Sequence, residues 1–497
     1  MLDPLACYKA LQARDERFDG RFFVGVASTG IYCRPVCPAG PPKLENCRFY
    51  PSAAAAQEDG FRPCLRCRPE TAPDVGSWCG TSNTVSRGLA LIAEGELDGT
   101  ASVEALAERL GVGARQLRRL FEQHLGASPV TVAQTRRVLF AKQLIHDTRL
   151  PMGEVALAAG FGSVRRFNEA FQKLFLRPPS ALRGKRTVAL PEGSVAATGV
   201  TVRLRYRHPY DWPALLSHLR ARALDGIEQV DAGVYRRTIV QDGRAGTVEI
   251  DHRPDVRSLA ATIRFPCVRS LPAIVARIRH VFDLGADVTA IGAHLARDPL
   301  LAPLIAQRPG LRTPGAWDGF ELAVRAILGQ QVSVEAGRRL AGQLARLCGT
   351  VLAPGQSGNG ALTLAFPSAA EVARADLRAL GIPRARQQAL AALAQAALAD
   401  PLLFRPLGTV ENTVARLRVI RGVGEWTAHY IALRAAREPD AFPASDIGLL
   451  RGASGRDGRR LSPAELHARA ERWRPWRAYA AQHLWAADAA SEKGQSS

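Results

Sequence analysis

VIRGVGEWTAHYIALRAAREPDAFPASDIGLL, residues 419–450, reads as a helix, a Gly-Val-Gly hairpin and a second helix, with Asp446 beyond it. Gly422 and Gly424 let the chain turn sharply and expose backbone N–H groups, and the N-terminus of the following helix adds a favourable dipole for a phosphate. A Gly-x-Gly before a helix is a weak signal on its own. An isolated aspartate is, on its own, most simply a helix N-cap or a surface acid. What surrounds the stretch has to decide.

From about residue 272 to the end the apolar pattern is almost wholly helical, interrupted at Pro/Gly sites such as RPGLRTPGAWDG (308–319). Before it, VTVRLRYR, GVYRRTIV, GTVEIDH and SLAATIRF alternate apolar and polar residues with turn signals between them, which predicts a small antiparallel sheet with a helix at 212–223 beside it. Residues 187–200 lose both charge and period and read as a linker. Two similar blocks lie further upstream, SVEALAERLGVGARQLRRLFEQHLG (102–126) and PMGEVALAAGFGSVRRFNEAFQKLF (151–175). Each gives a short helix, a Gly-containing turn and a second, Arg-rich helix, the helix-turn-helix pattern. Arg115, Arg118, Arg165 and Arg166 stand on those second helices, where arginines are more often a solvated face than a binding one.

The N-terminal part holds Cys33 and Cys37 in a C-x3-C pair and Cys64 and Cys67 in a C-x2-C pair. Thiolates so spaced can close a tetrahedron around one zinc ion. Cys7, Cys47 and Cys79 are neighbouring spares. Spacing alone supports a metal that staples a small domain.

At 497 residues and 47% hydrophobic content the chain allows about three to four domains, each with its own core. Against 46 acidic side chains stand 66 Lys and Arg, a net charge of +20 spread over both halves, which a polyanionic partner such as nucleic acid would explain. No basic patch followed by an apolar run opens the chain, and no run of 18 or more apolar residues occurs. The expectation is a cytoplasmic protein with reduced cysteines and no membrane partner.

Three resemblances sharpen these readings. Residues 22–70, FFVGVASTGIYCRPVCPAGPPKLENCRFYPSAAAAQEDGFRPCLRCRPE, resemble the N-terminal domain of the Ada family of alkylation-response proteins. That implies one Zn2+ held by Cys33, Cys37, Cys64 and Cys67, with Cys33 accepting a methyl group from a methylated DNA phosphate. The loop after Cys37 departs from a basic pattern, with Lys43 alone, so Arg34, Arg62, Arg66 and Arg68 are the candidate DNA contacts. Residues 83–184 resemble the AraC-type DNA-binding domain, carried by AAGFGSVRRFNEAFQK and RPPSALR, which implies that Arg115, Arg118, Arg165 and Arg166 approach double-stranded DNA. It also implies transcription regulation, with RNA polymerase as a protein partner.

Residues from about 200 to 488 look like the AlkA family of helix-hairpin-helix alkylpurine glycosylases, through HPYDWPALLSHLRARA, FELAVRAILGQQVSV, the hairpin stretch and ARAERWRPWRAYAAQHLW. The resemblance implies that Asp446 is the catalytic carboxylate and that Trp426, Tyr430 and Trp485 line a pocket for a flipped base. It also implies a monovalent cation on hairpin carbonyls and DNA contacts at Gly422 and Gly424. Gln331, preceded by Gln330, stands where the family carries an intercalating leucine. Trp473 and Trp476 read as core. No lysine occurs between Thr187 and Glu492, so a Schiff-base lyase has no obvious nucleophile and a monofunctional hydrolase is expected. Cys267 and Cys348 are too few for an iron–sulfur cluster, and Cys267 lacks the histidine a thiol acceptor needs.

The expected fold is therefore multidomain and predominantly α. A zinc-bound α+β domain (1–78) precedes an all-α double helix-turn-helix domain (83–184), a small antiparallel-sheet α+β domain (198–282) and all-α helix-hairpin-helix lobes (283–490). The expected protein is a monomeric DNA alkylation repair and response protein. The alternative is a DNA-binding regulator with a purely structural zinc and a degenerate glycosylase module.

Overall fold

The computed structural model describes residues 3–73, 83–98, 102–183, 199–352, 360–406, 409–454 and 459–494. Cys79 lies outside these. The chain forms two compact units, one of Met1–Arg207, Ile250–Arg279 and Leu284–Ala286, the other of His208–Glu249, His280–Asp283 and Asp287–Ser497.

In the first unit a four-stranded sheet of order β3-β1-β2-β4 builds the cysteine domain, from β1 (Phe23–Val26), β2 (Ile31–Cys33), β3 (Cys47–Tyr50) and β4 (Arg62–Pro63). Strand β2 runs antiparallel to β1 and parallel to β4, pairing Ile31 with Arg62 and Tyr32 with Pro63. That register brings the end of β2, which carries Cys33, beside the segment that carries Cys64. The two cysteine pairs converge because two strands pair, across about thirty residues of chain.

Both helix-turn-helix blocks form as the periodicity predicts. Helix Val103–Arg109 is capped by Ser102, and helix Ala114–Leu125 buries Leu117, Phe121 and Leu125, one residue per turn. In the second block Met152–Ala158 leads through Gly160 to Val164–Phe175, whose inner face is Phe167, Phe171 and Phe175. Gly160 has a φ of +81°, and a Cβ there would lie 2.5 Å from Asp98 Oδ2, so the turn requires glycine. A 19-residue helix, Pro129–Asp147, joins the blocks, started by Ser128 as N-cap and proline at its first turn.

A second sheet has the order β5-β9-β8-β7-β6, from β5 (Val200–Arg205), β6 (Glu228–Asp231), β7 (Val234–Gln241), β8 (Arg244–Arg253) and β9 (Ser258–Arg264). Four of these are the alternating stretches of the sequence. The fifth, β6, has no apolar alternation; its Glu228 is buried because Arg325 and Tyr235 bind its carboxylate. The unit boundary falls inside β8. Helix Trp212–Arg222 occupies the position predicted at 212–223.

The rest of the second unit is helical apart from the two-residue strands Thr350–Val351 and Leu364–Ala365. Helices Val410–Arg418 and Glu425–Arg434 flank the Gly-Val-Gly turn. Helix Ile447–Gly452 lies so close to Arg477–Gly494 that a Cβ at Gly452 would sit 2.1 Å from Leu484 O. No helix among the described residues is long and apolar enough to cross a membrane.

Candidate functional sites

The four sulfurs of Cys33, Cys37, Cys64 and Cys67 all lie within 4.8 Å of one another, the spread expected around a tetrahedral zinc. Local structure aims each of them. Cys33 ends β2, the Cys37 N–H closes a turn on Arg34 O at 3.1 Å, and the Cys64 N–H donates to Tyr32 O at 3.0 Å. The backbone N–H of Arg34 points at Cys67 Sγ, 3.4 Å away, and so stabilises negative charge on that sulfur. Hydrogen bonding with Cys33 lowers the Cys37 thiol from its ordinary value, and the bonds to the other three sulfurs raise Cys33. Four thiolates at this spacing need a cation to coexist, and the donor set fits zinc. Cys7 and Cys47 pack into a separate core cluster and lie outside the sulfur tetrad.

Cys37, Cys64 and Cys67 are buried, whereas Cys33 is partly exposed. It opens on a cavity of about 540 Å³ whose rim includes Arg62, Arg66, Phe175 and Arg177. Arg62 and Arg66 were expected at this surface. Phe175 and Arg177 were not; they come from the end of the second helix-turn-helix block, and only the fold brings them to the cysteines. Arg34 is a correction. Its guanidinium, 2% exposed, is bound by Asp19, Thr71 and the Cys67 carbonyl, so it holds the site together and does not reach outward. Arg68 is likewise engaged, by Glu70 and Asp147. Lys43 stays exposed.

The cysteine domain is anchored on the helix-turn-helix domain through Lys142, on helix Pro129–Asp147. Its ammonium, 0% exposed, lies 2.7 Å from Glu70 Oε2 and 3.2 Å from Cys64 O. A second tie runs from Thr135 Oγ1 to Gln57 Oε1 at 3.0 Å and from Gln57 Nε2 to the Tyr32 hydroxyl at 2.9 Å. Arg115, Arg118, Arg165 and Arg166 are all exposed on the outer faces of their helices, with Arg118 paired to Glu104 and Arg165 to Glu169.

In the second unit Asp446 is the helix N-cap that the sequence allowed, and it makes further contacts. Its Oδ1 caps helix Ile447–Gly452 by accepting from Leu449 N at 3.0 Å, and it also accepts the Trp485 indole N–H at 2.8 Å. Its Oδ2 accepts the Trp426 indole N–H at 2.7 Å. Trp426 stacks on Tyr430 with ring centroids 5.3 Å apart and planes 7° from parallel, and Trp485 meets Tyr430 edge-on at 6.3 Å. The four residues thus form one half-buried group, carboxylate at one end and rings at the other.

Gly422 has a φ of +85°, and a Cβ there would lie 2.3 Å from Ala389 Cβ, so the hairpin needs glycine twice over. Gly424 caps helix Glu425–Arg434 with nothing within 4 Å of its Cβ position, so the start of that helix, with its favourable dipole, is open to the approach of an anion. Gln330 does not join the aromatic group. Its Nε2 donates to Gly422 O and Thr427 Oγ1, both at 3.0 Å, and fastens the hairpin instead. Gln331 is exposed with a φ of +57°, a left-handed conformation that lifts its side chain out of the loop tip. Trp473 is core, its indole N–H on Asp298, whereas Trp476 is only half-buried.

Family models match three segments, the metal binding domain of Ada over 6–70, a helix-turn-helix domain over 106–185 and the AlkA N-terminal domain over 201–318. A Mycobacterium tuberculosis protein named a probable bifunctional transcriptional activator/DNA repair enzyme AlkA is 43% identical over 481 residues, covering 96% of this chain and 95% of that one. The chain belongs to this Ada–AlkA family.

Within the family, its second half is similar to the Escherichia coli DNA-3-methyladenine glycosylase 2, 36% identical over 57% of this chain and 95% of that one. A solved 3-methyladenine DNA-glycosylase from Archaeoglobus fulgidus shares the fold at 22% identity and a TM-score of 0.51, covering 57% of this chain and 97% of the other. The paired helix-turn-helix blocks make this member of the Ada–AlkA family a DNA-binding protein, and its tetrad makes it a zinc protein.

Proposed function

We propose that this chain repairs and reports DNA alkylation by two chemistries, base excision centred on Asp446 and methyl acceptance on Cys33. The observation that carries the first is the carboxylate of Asp446, held by two indole N–H groups at the edge of an aromatic cluster. A base alkylated on a ring nitrogen is cationic and is drawn to electron-rich rings once it has left the helix. When the bond between the base and C1′ breaks, the base keeps the electron pair and leaves neutral, so it needs no protonating acid. Positive charge develops on the sugar, where the Asp446 carboxylate stabilises it. Water adds to C1′ and releases its proton to Asp446 or to solvent.

With no lysine between Thr187 and Glu492, the reaction stops at hydrolysis and the enzyme is monofunctional. Gly422 and Gly424 hold the duplex by its phosphates; the hairpin carbonyls would hold a monovalent cation, which would add positive charge facing those phosphates. Gln331 stands at the tip where the gap left by the base has to be filled.

Methyl acceptance rests on Cys33 being the one partly exposed sulfur of the tetrad. Bound zinc keeps the four thiols deprotonated, so that Cys33 is nucleophilic at neutral pH. The thiolate attacks the methyl carbon of an uncharged phosphotriester, an S–CH3 bond forms, and the phosphodiester leaves with its charge restored. One negative charge disappears from a surface that faces DNA, and affinity for DNA rises. Arg62, Arg66 and Arg177 surround the cavity for that encounter. Helix-turn-helix residues Arg115, Arg118, Arg165 and Arg166 then place the protein, as a monomer, at promoter sites where it meets RNA polymerase.

The test is incubation with methylated duplex DNA, measuring released bases and locating methyl on the protein by peptide mass spectrometry. Asp446→Asn should abolish base release and leave methylation of Cys33 intact. Base release by that variant at the normal rate would overturn the catalytic assignment, and a methyl-free Cys33 would return the zinc to a structural role.

A further inference from the structure

Arg434 closes helix Glu425–Arg434, one turn after Tyr430 and two turns after Trp426. It is 3% exposed, with its guanidinium carbon 5.0 Å from the Trp485 ring centroid and 5.8 Å from that of Tyr430. Its hydrogen-bond partners are neutral, Pro314 O at 3.0 Å and Gln482 Oε1 at 2.9 Å, and its Nε is buried with no partner. Nearby Arg437, by contrast, is matched by Asp283. Burial first, with repulsion from Arg222 and Arg437, outweighs the opposing pull of Tyr430 and lowers the Arg434 guanidinium to about 10, so it keeps its charge at neutral pH. No ion pair to Arg434 exists among the described residues.

A buried, uncompensated cation against two rings is costly unless it does something there. The rings separate it from the carboxylate, because Trp485 carries Arg434 over its face and Asp446 on its Nε1 edge. We propose that Arg434 tunes the site to charge on the base, weakening the binding of a cationic base while speeding its departure. The inference rests on the reading that Trp426, Tyr430 and Trp485 border the flipped base.

The charge balance supports both halves. A guanidinium already engaged with Tyr430 and Trp485 weakens their attraction for a second cation, and adds direct repulsion across a poorly solvated gap. During cleavage the unit of positive charge moves from base to sugar, away from Arg434 and towards Asp446. The bound state is therefore raised more than the transition state, which lifts kcat while loosening binding. A neutral base feels no such penalty on binding.

The test uses full-length protein and two duplexes of the same sequence, one with N7-methylguanine, which is cationic, the other with its neutral isostere 7-deaza-7-methylguanine. Binding is measured in the Asp446→Asn background, where the base stays attached. Adding Arg434→Gln should tighten the cationic complex about tenfold and leave the neutral one unchanged. With Asp446 intact, Arg434→Gln should slow single-turnover release of N7-methylguanine about tenfold, and Arg434→Lys should restore both properties. Equal shifts for the two duplexes, or none, overturn the inference while leaving the pocket reading in place. Should Arg434→Gln fail to fold, Arg434→Met, which keeps the packing stem without the charge, is read on the same two duplexes, and an equal or absent shift overturns the inference. If Asp446→Asn still releases base, the pocket reading fails and the inference falls with it.

Discussion

Trp485 donates its indole N–H to Asp446 Oδ1 across 2.8 Å, so the ring expected to stack on a base also aims the carboxylate. Trp485→Phe keeps a ring and removes only the donor. A hydrogen bond to a charged group contributes about 1.5–3 kcal/mol, so base release should slow by about ten- to a hundredfold. Trp485→Ala, which loses the ring as well, should be slower still in single-turnover assays; equal rates for the two variants would show that the N–H carries the whole effect.

The Lys142–Glu70 pair predicts a non-additive cycle. Both side chains are buried, at 0% and 1% exposure; without Glu70 the Lys142 ammonium keeps only the Cys64 carbonyl, whereas without Lys142 the Glu70 carboxylate still has Arg68. Glu70→Gln, which strands the Lys142 charge, should cost about 3–5 kcal/mol of stability in the first unit, and Lys142→Met, which leaves Glu70 on Arg68, should cost less. The double variant should cost less than the sum, measured by denaturant unfolding.

The two hairpin glycines should behave differently. Gly422→Ala meets both a φ of +85° and the Ala389 side chain, and should destabilise the second unit by about 2 kcal/mol or more. Gly424→Ala has ordinary backbone angles and open space and loses only the N-cap preference for glycine, so its melting temperature should fall far less than that of Gly422→Ala. Calorimetry of the two variants checks both.

Acid should loosen the segment that delivers Asp446. Burial pulls His429 down to about 4, and its Nδ1 accepts the Phe442 N–H at 3.3 Å, so the native ring is neutral. Buried His483 is also down at about 4. The unfolded chain takes up these protons first, near pH 6.5, so stability is full above that value and falls as pH drops towards 4, by about 3 kcal/mol for each histidine. Melting temperatures measured from pH 7 to 4.5 should decline, and His429→Gln, which keeps an acceptor for Phe442, should flatten the decline.

Chelation should act locally. Stripping zinc from the tetrad should remove hydrogen-exchange protection from residues 31–37 and 62–67 and leave the helix Glu425–Arg434 protected. Protection unchanged at Cys33 would mean that β2 and β4 hold the site without metal.

The elements most legible in sequence were those whose signal is local. Ser102, Ser128 and Ser163 mark their helices, the Phe167–Phe171–Phe175 spacing gives a buried face, and four of five sheet strands alternate visibly. The cysteine tetrad was equally plain. What escaped depended on distant partners. Strand β6 hides because Glu228 is neutralised by Arg325, ninety-seven residues away. Arg34 reads as an exposed base until Asp19 folds over it, and Lys142 reads as a solvated helix residue until the cysteine domain covers it. Phe175 and Arg177 could not be assigned to the Cys33 cavity from spacing, because nothing local in the sequence relates a helix end to a sulfur well over a hundred residues earlier.

The single partly exposed sulfur of the tetrad has a temporal consequence. A thioether formed at Cys33 has no hydrolysable bond, so the mark outlasts the lesion and fades only as the chain is degraded or diluted by growth. On the proposed assignment, base excision at Asp446 is untouched by that event and would continue. A methylated molecule is thus a working enzyme that carries a memory, and a population of such molecules records how much damage its cell has met.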